Sequence, residues 1–134
     1  MKRRQVLKCI AGGASLAVLK PVLAEGFVDF DHEAYTEMLA SGKPFILGFL
    51  SDWWPMCLSQ QRTVSVLIDS NPEYSDITFV RADWDLYRSS ELTSELNVRR
   101  RSTLIMFRDG EEVARVISQN NKNTIENMFK ATTG

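Results

Sequence analysis

The chain has 134 residues, of which 44% are hydrophobic and 25% charged. This composition is typical of one soluble globular domain and excludes a largely disordered chain. Without the first 24 residues, which hold five basic residues and no acidic ones, 11 basic and 17 acidic residues remain. The resulting net charge of −6 argues against nucleic-acid binding, which needs a basic surface.

The first 24 residues have the order of an export signal. A basic cluster opens the chain, an apolar stretch runs from Cys9 to Leu19, and the segment closes at Ala24. The apolar stretch is shorter than the about 20 residues that a membrane span needs. We therefore predict a signal peptide over 1–24, a single domain over 25–134, and only transient membrane contact. A retained amphipathic or anchoring helix is the alternative.

The pair Arg3-Arg4 resembles the twin-arginine signal, in which paired arginines precede an apolar residue, Leu and Lys. The resemblance implies that the protein folds before export and functions in the periplasm or elsewhere in the bacterial cell envelope. Cleavage after Ala24 would also remove Cys9. Cys57 would then be the only thiol, and no internal disulfide could form.

The first half of the remaining chain predicts helix, strand and helix. Asp31 is a suitable helix N-cap and Gly42 a suitable helix stop. The continuous apolar run Phe45–Leu50 predicts a central strand that is buried on both faces. Pro55 then stands where prolines open helices, and Asn71 and its following proline end the second helix.

The second half predicts a strand, a short helix, a hairpin and a last helix. Asp109-Gly110 between two strand patterns is a strong signal for a type I′ turn. The whole order predicts an α/β fold, with a mixed central sheet of four to five strands flanked by helices on both faces. The predicted elements are Ile77–Asp83, Leu86–Leu96, the hairpin Thr103–Arg108 with Glu111–Ile117, and Asn123–Phe129.

Three motifs in this order resemble the thioredoxin family. Phe49–Cys57 resembles the segment that carries Trp-Cys-x-x-Cys, with Trp53 at the tryptophan and Cys57 at the second cysteine. Val98–Leu104 resembles the loop and strand in which a cis-proline precedes Thr-Leu, and Phe107–Glu111 resembles the family's Phe-Lys-Asn/Asp-Gly hairpin. The resemblance implies a thioredoxin fold and a relation to thiol–disulfide oxidoreductases.

Three positions depart from the family's pattern. Trp54 stands at the nucleophilic cysteine, Ser102 at the cis-proline, and Gly48 at the buried acid of thioredoxin itself. The family's reaction uses one thiol to attack and a second to resolve the mixed disulfide. The resemblance therefore implies reduced or monothiol redox activity on protein thiols or disulfides, with Cys57 as the catalytic residue.

Cys57 has two interpretations. A position near a helix start favours a thiolate, because unpaired N–H groups and the helix dipole stabilise negative charge there. The family's second cysteine is normally shielded, however, and the bulk of Trp54 stands nearby in the sequence. Cys57 is thus either a reactive monothiol or a weakly reactive, buried one.

The alternative function is non-catalytic: the family's substrate groove would hold an extended protein segment, as a chaperone or assembly module does. We expect Trp53 to pack on the domain and Trp54 to be partly exposed. The run Arg99–Arg101 is either a solvated face or a recruiter of acidic partners. We expect no metal and no cofactor, because Cys57, Met56 and His32 have no recognised ligand spacing. The candidate partner-binding residues are Trp53, Trp54, Pro55, Met56, Arg101, Ser102 and Thr103.

Overall fold

The structure is a computed structural model that describes residues 26–133, so the predicted signal peptide lies outside the described residues. None of the helices in this part of the chain is long and apolar enough to cross a membrane. A short 3₁₀ helix, Pro72–Tyr74, follows the second α-helix. The main elements in chain order are β1 (Val28–Asp29), α1 (His32–Ser41), β2 (Phe45–Leu50), α2 (Pro55–Ser70), β3 (Thr78–Asp83), α3 (Trp84–Tyr87), α4 (Glu91–Leu96), β4 (Thr103–Arg108), β5 (Glu111–Ile117) and α5 (Lys122–Lys130).

The five strands form one mixed sheet in the order β1-β3-β2-β4-β5. β1 and β2 both pair with β3 in parallel, whereas β4 runs antiparallel to β2 and forms a hairpin with β5. All six residues of β2 are buried, as expected for a central strand covered on both faces. The predicted α/β class, with a mixed sheet and a closing hairpin plus helix, is confirmed.

Alternate residues of β2 enter two separate hydrophobic cores. Ile46 and Leu50 pack with α2 and α5 on one face of the sheet. Phe45, Leu47 and Phe49 pack with α1, α3 and α4 on the other. This alternation follows from the period of two in a β-strand. Cys57 belongs to the core under α2 and α5.

Local signals in the sequence fix the ends of several elements. The Asp31 carboxylate accepts a hydrogen bond from the Ala34 N–H at 2.9 Å and caps α1. Gly42 ends that helix with a φ of 74°. Asp109 and Gly110 have φ values of 55° and 76°, so both take the left-handed conformation that the predicted hairpin turn requires.

The structure differs from the predicted elements in two places. The single helix expected over Leu86–Leu96 is two helices, because Asp83 caps α3 and Ser90 caps α4, so that each begins anew. β1 was not predicted at all. It has only two residues, too few to show an alternating pattern, and it exists because Val28 pairs with Val80 at the edge of the sheet.

Candidate functional site

Cys57 is a buried free thiol in the first turn of α2. The helix opens at Pro55, and the preceding Trp54 provides no side-chain hydrogen bond to the helix start. Cys57 is 1% exposed and is the only cysteine among the residues that the structure describes. Its Sγ lies 2.8 Å from the Oγ of Ser102, and either atom could donate the hydrogen bond. The structure therefore brings the predicted catalytic residue together with the residue that replaces the family's cis-proline.

Ser102 has an unusual backbone that several hydrogen bonds hold in place. Its φ is +63°, in the left-handed region that a residue other than glycine seldom adopts. The Ser102 N–H donates to the Phe49 carbonyl at 2.8 Å, and the Ser102 carbonyl accepts from the Ser118 N–H at 2.8 Å. The residue is fully buried. Its main-chain groups are thus bonded within the protein and are not presented to a partner segment.

Gln60 supports the same loop, although its role was not predicted from the sequence. Its Nε2 donates to the Ser102 carbonyl at 3.0 Å and to the Gln119 carbonyl at 2.9 Å. Because both partners are acceptors, the orientation of the amide is fixed. Its Oε1 is buried without a hydrogen-bond partner. A polar residue three positions after Cys57, on the face that α2 buries, was the available signal.

The position of the family's buried acid is closed by apolar side chains. A Cβ added at Gly48 would lie 3.1 Å from a methyl carbon of Leu104, 3.1 Å from one of Leu50, and 3.2 Å from the ring of Phe79. All three neighbours are buried. Glycine supplies no acid at this position, and the other residues of β2 are apolar, so this strand offers no group for proton transfer at Cys57.

The two tryptophans form an aromatic cluster on the surface together with Arg101. Trp53 and Trp54 are 56% and 38% exposed, and their rings meet edge to face at 5.4 Å. The Arg101 guanidinium lies 4.8 Å and 4.6 Å from the centres of the two rings. The Trp53 Nε1 donates to the Asp85 carboxylate at 2.7 Å, and Asp85 also faces Arg101 at 3.9 Å. The prediction that Trp53 packs on the domain was wrong, because its ring is held by this hydrogen bond and the guanidinium on the surface.

The other predicted contact residues divide between surface and interior. Pro55 is exposed and Met56 half-buried in the first turn of α2. Thr103 is buried, and its hydroxyl donates to the Arg100 carbonyl at 2.8 Å. Ser102 and Thr103 are therefore inside the protein, whereas Trp53, Trp54, Pro55 and Arg101 have exposed surface.

The described residues contain no cluster of three His, Cys, Asp or Glu side chains suited to a metal ion. His32 begins α1, whose buried Tyr35 packs on the face of the sheet opposite Cys57.

A mixed five-stranded sheet with helices on both faces, and a cysteine at the start of the helix after the central strand, defines a thioredoxin-like α/β protein. The sequence model of the thioredoxin family matches residues 26–131, and the chain belongs to the thioredoxin family. That family typically acts on protein thiols or disulfides, which indicates a function related to thiol–disulfide oxidoreductases.

Individual relatives agree with this family assignment. The chain is 26% identical over 101 residues to the thioredoxin Asp f 28 of Aspergillus fumigatus, covering 75% of this chain and 89% of the relative. The crystal structure of Trxlp from Edwardsiella tarda has 28% identity and a TM-score of 0.67, with 75% of this chain and 95% of that chain covered. Mitochondrial thioredoxin 3 of Saccharomyces cerevisiae, at 20% identity and a TM-score of 0.65, shares the fold over 78% of this chain and 93% of its own.

Proposed function

We propose that the protein is an exported thioredoxin-family protein of the bacterial cell envelope, with reduced, monothiol redox activity carried by Cys57. The observation that carries the proposal is the pairing of the Cys57 Sγ with the Ser102 Oγ at 2.8 Å, in the first turn of α2. The Ser102 hydroxyl can donate to a thiolate, and the helix start favours negative charge. No second cysteine lies beside this thiol among the described residues.

A monothiol can perform half of the family's exchange reaction. The Cys57 thiolate attacks one sulfur of a partner's disulfide, the partner's S–S bond breaks, and the other partner sulfur leaves as a thiolate. The product is a mixed disulfide between Cys57 and the partner. An outside thiol must then attack the mixed disulfide, which returns Cys57 to the thiol form. Because Cys57 is 1% exposed, attack requires a local opening and should be slow.

Reduction of insulin disulfides by dithiothreitol tests this proposal. We expect turnover little above the uncatalysed rate. When the protein is mixed with insulin before dithiothreitol is added, we expect a mixed disulfide that is lost in the variant Cys57→Ser. Robust turnover by the unmodified protein would show that the missing first cysteine does not limit the reaction. The variant Trp54→Cys is the complementary test, since it restores the spacing of the dithiol pair and should raise turnover well above that of the unmodified protein.

The export part of the proposal is supported by the sequence of the first 24 residues. Replacing both Arg3 and Arg4 by lysine should leave the protein in the cytoplasmic fraction, because the twin-arginine signal depends on the arginine pair. A single conservative change at the exposed Lys43 serves as the control. Normal export of the double variant would contradict a twin-arginine route.

The second candidate function is non-catalytic binding of an extended protein segment. It is favoured by the exposed pair Trp53 and Trp54, since tryptophan and arginine are enriched at the centres of protein interfaces. Under this function, Cys57→Ser would bind a captured partner as well as the unmodified protein, while Trp54→Ala would not. Under the monothiol function, loss of the thiol would abolish the covalent complex and leave only weak association.

A further inference from the structure

A group of arginines without carboxylate partners among the described residues lies beside α4. A cavity of about 330 Å³ is lined by Arg88 and Arg99 together with hydroxyl and amide side chains of α4 and its flanks. Among the described residues, neither arginine has a carboxylate oxygen within salt-bridge distance. The Arg99 Nε donates to the Asn97 Oδ1 at 3.1 Å, which orients that guanidinium.

The uncharged polar side chains of the short helix α4 and its flanks line the arginine cavity, whereas its acidic side chains do not. Its hydroxyl and amide side chains recur at helical spacing and line the arginine cavity: Ser90, Thr93, Ser94 and Asn97. Its two acidic residues, Glu91 and Glu95, line a different depression, next to His32. No carboxylate therefore lines the arginine cavity, although the chain as a whole is acidic.

A second cavity of about 490 Å³ continues from the first and shares Arg99 and Asn97 with it. It adds Arg100 and reaches Ile117, which is 43% exposed. Arg115 also lines it, but this guanidinium is already bonded to Glu112 and to the Leu96 carbonyl, both at 2.7 Å. The positive charge available to a ligand therefore comes from Arg99 and Arg100.

We propose that these two cavities form a docking surface for an acidic, extended segment of a partner protein, here called the arginine surface (Arg88, Arg99 and Arg100). Charge complementarity selects this occupant, because three exposed guanidinium groups have no carboxylate partners within the described part of the chain. Arg88 lines only the first of these two cavities and Arg100 only the second, so a small anion bound in either one cannot contact all three arginines. The exposed Ile117, which lines the second cavity, offers one apolar contact to the same segment.

The arginine surface goes beyond the proposed function, since it assigns the chemistry of a partner and does not depend on the thiol. Each exposed ion pair contributes little by itself, and salt screens it. Binding must therefore depend on several carboxylates at once and weaken as salt is added. A partner held here would also lie near the loop of Ser102, because Thr103 lines the second cavity.

Fluorescence anisotropy with two labelled peptides tests the arginine surface on the full chain. One peptide is rich in glutamate, with isoleucine between the acidic residues, and the other has glutamine in place of every glutamate. We expect the glutamate peptide to bind and its affinity to fall by about tenfold or more in the triple variant Arg88→Gln, Arg99→Gln, Arg100→Gln. A matched control removes three exposed cations from elsewhere and should lose less than about twofold: Arg62→Gln, Lys122→Gln and Lys130→Gln.

Three results would overturn the proposal. Equal binding of the glutamine peptide would exclude recognition of charge, and an equal loss in the control variant would show only the effect of net charge. Displacement of the peptide by inorganic phosphate, at a phosphate concentration equal to that of the peptide's carboxylates, would indicate a small-anion site instead. Because the assay is repeated with Cys57→Ser, it is separable from the proposed function: an inert thiol with intact peptide binding rejects only the monothiol activity.

Discussion

Gln60 provides the sharpest test of how the loop beside Cys57 is held. Replacing Gln60 by leucine removes two hydrogen bonds of the buried amide, to the carbonyls of Ser102 and Gln119. At about 1 kcal/mol each, their loss costs about 2 kcal/mol. Neither carbonyl is left buried and unbonded, because Ser102 keeps its bond from the Ser118 N–H and Gln119 is exposed to water.

The same substitution removes a buried, unpartnered oxygen. The Oε1 of Gln60 has no hydrogen-bond partner, and such a group destabilises the folded state by about 1–3 kcal/mol. The loss and the gain nearly cancel, so Gln60→Leu should change the free energy of unfolding by less than about 1 kcal/mol. Gln60→Ala loses the same bonds and also leaves a cavity, and it should destabilise by about 2–4 kcal/mol.

Urea denaturation of both variants checks these values, and alkylation of Cys57 checks their effect on the site. In both variants the Ser102 loop loses its hydrogen bond from the Gln60 amide, so the Cys57 thiol should be alkylated faster than in the unmodified protein. If Gln60→Leu destabilises by more than about 3 kcal/mol, the Oε1 must be satisfied in the folded protein and the reasoning is refuted. If Cys57 reacts at an unchanged rate, the amide does not control access to the thiol.

Three further predictions concern the packing at Gly48, the titration of Tyr35 and the surface hydrogen bond of Trp53. Gly48→Ala should lower the free energy of unfolding by about 1–3 kcal/mol in urea denaturation, because the added Cβ would stand 3.1 Å from side-chain carbons of Leu104 and Leu50. An unchanged free energy of unfolding would mean that these two side chains can shift without cost. Burial, with a smaller contribution from nearby glutamates, raises the pKa of Tyr35 above its ordinary value. Neutral Tyr35 therefore stabilises the fold below about pH 10, and this contribution is lost as pH rises through the higher folded pKa. Tyr35→Phe should flatten the alkaline loss of stability, and parallel curves would contradict this cause. Asp85→Ala should increase the quenching of Trp53 fluorescence by added iodide, because the carboxylate that accepts the indole hydrogen bond and repels the anion is lost. An unchanged spectrum and unchanged quenching would show that Asp85 does not fix the ring.

Most of the fold could be predicted because its signals are local and strong. The apolar run of β2, the cap at Asp31 and the Asp109-Gly110 turn each depend on a few consecutive residues. β1 could not be predicted, since a two-residue strand depends on its pairing with β3 and not on its own pattern. The break between α3 and α4 depends on capping by Ser90, a serine that a continuous helix could also have accommodated.

The site was predicted only in part, because its contacts join residues that are distant in the sequence. The family's pattern identified Cys57 and Ser102 as the second-cysteine and cis-proline positions, and the structure brings their side chains to 2.8 Å. Gln60 was missed because its role depends on two backbone carbonyls from other loops. The exposure of Trp53 was missed because it is set by Asp85 and Arg101, which the sequence gives no reason to join.

The most direct test of the monothiol claim is the reaction of Cys57 with oxidised glutathione in the folded protein. The variant Cys9→Ser is used so that Cys57 is the only thiol in the full chain, and adducts are counted by intact mass. We predict one glutathione adduct per chain, formed more slowly than in denaturant but faster than the chain unfolds globally, because a local opening exposes the sulfur. Adduct formation no faster than global unfolding would contradict the claim and leave the protein as a non-catalytic binding member of its family.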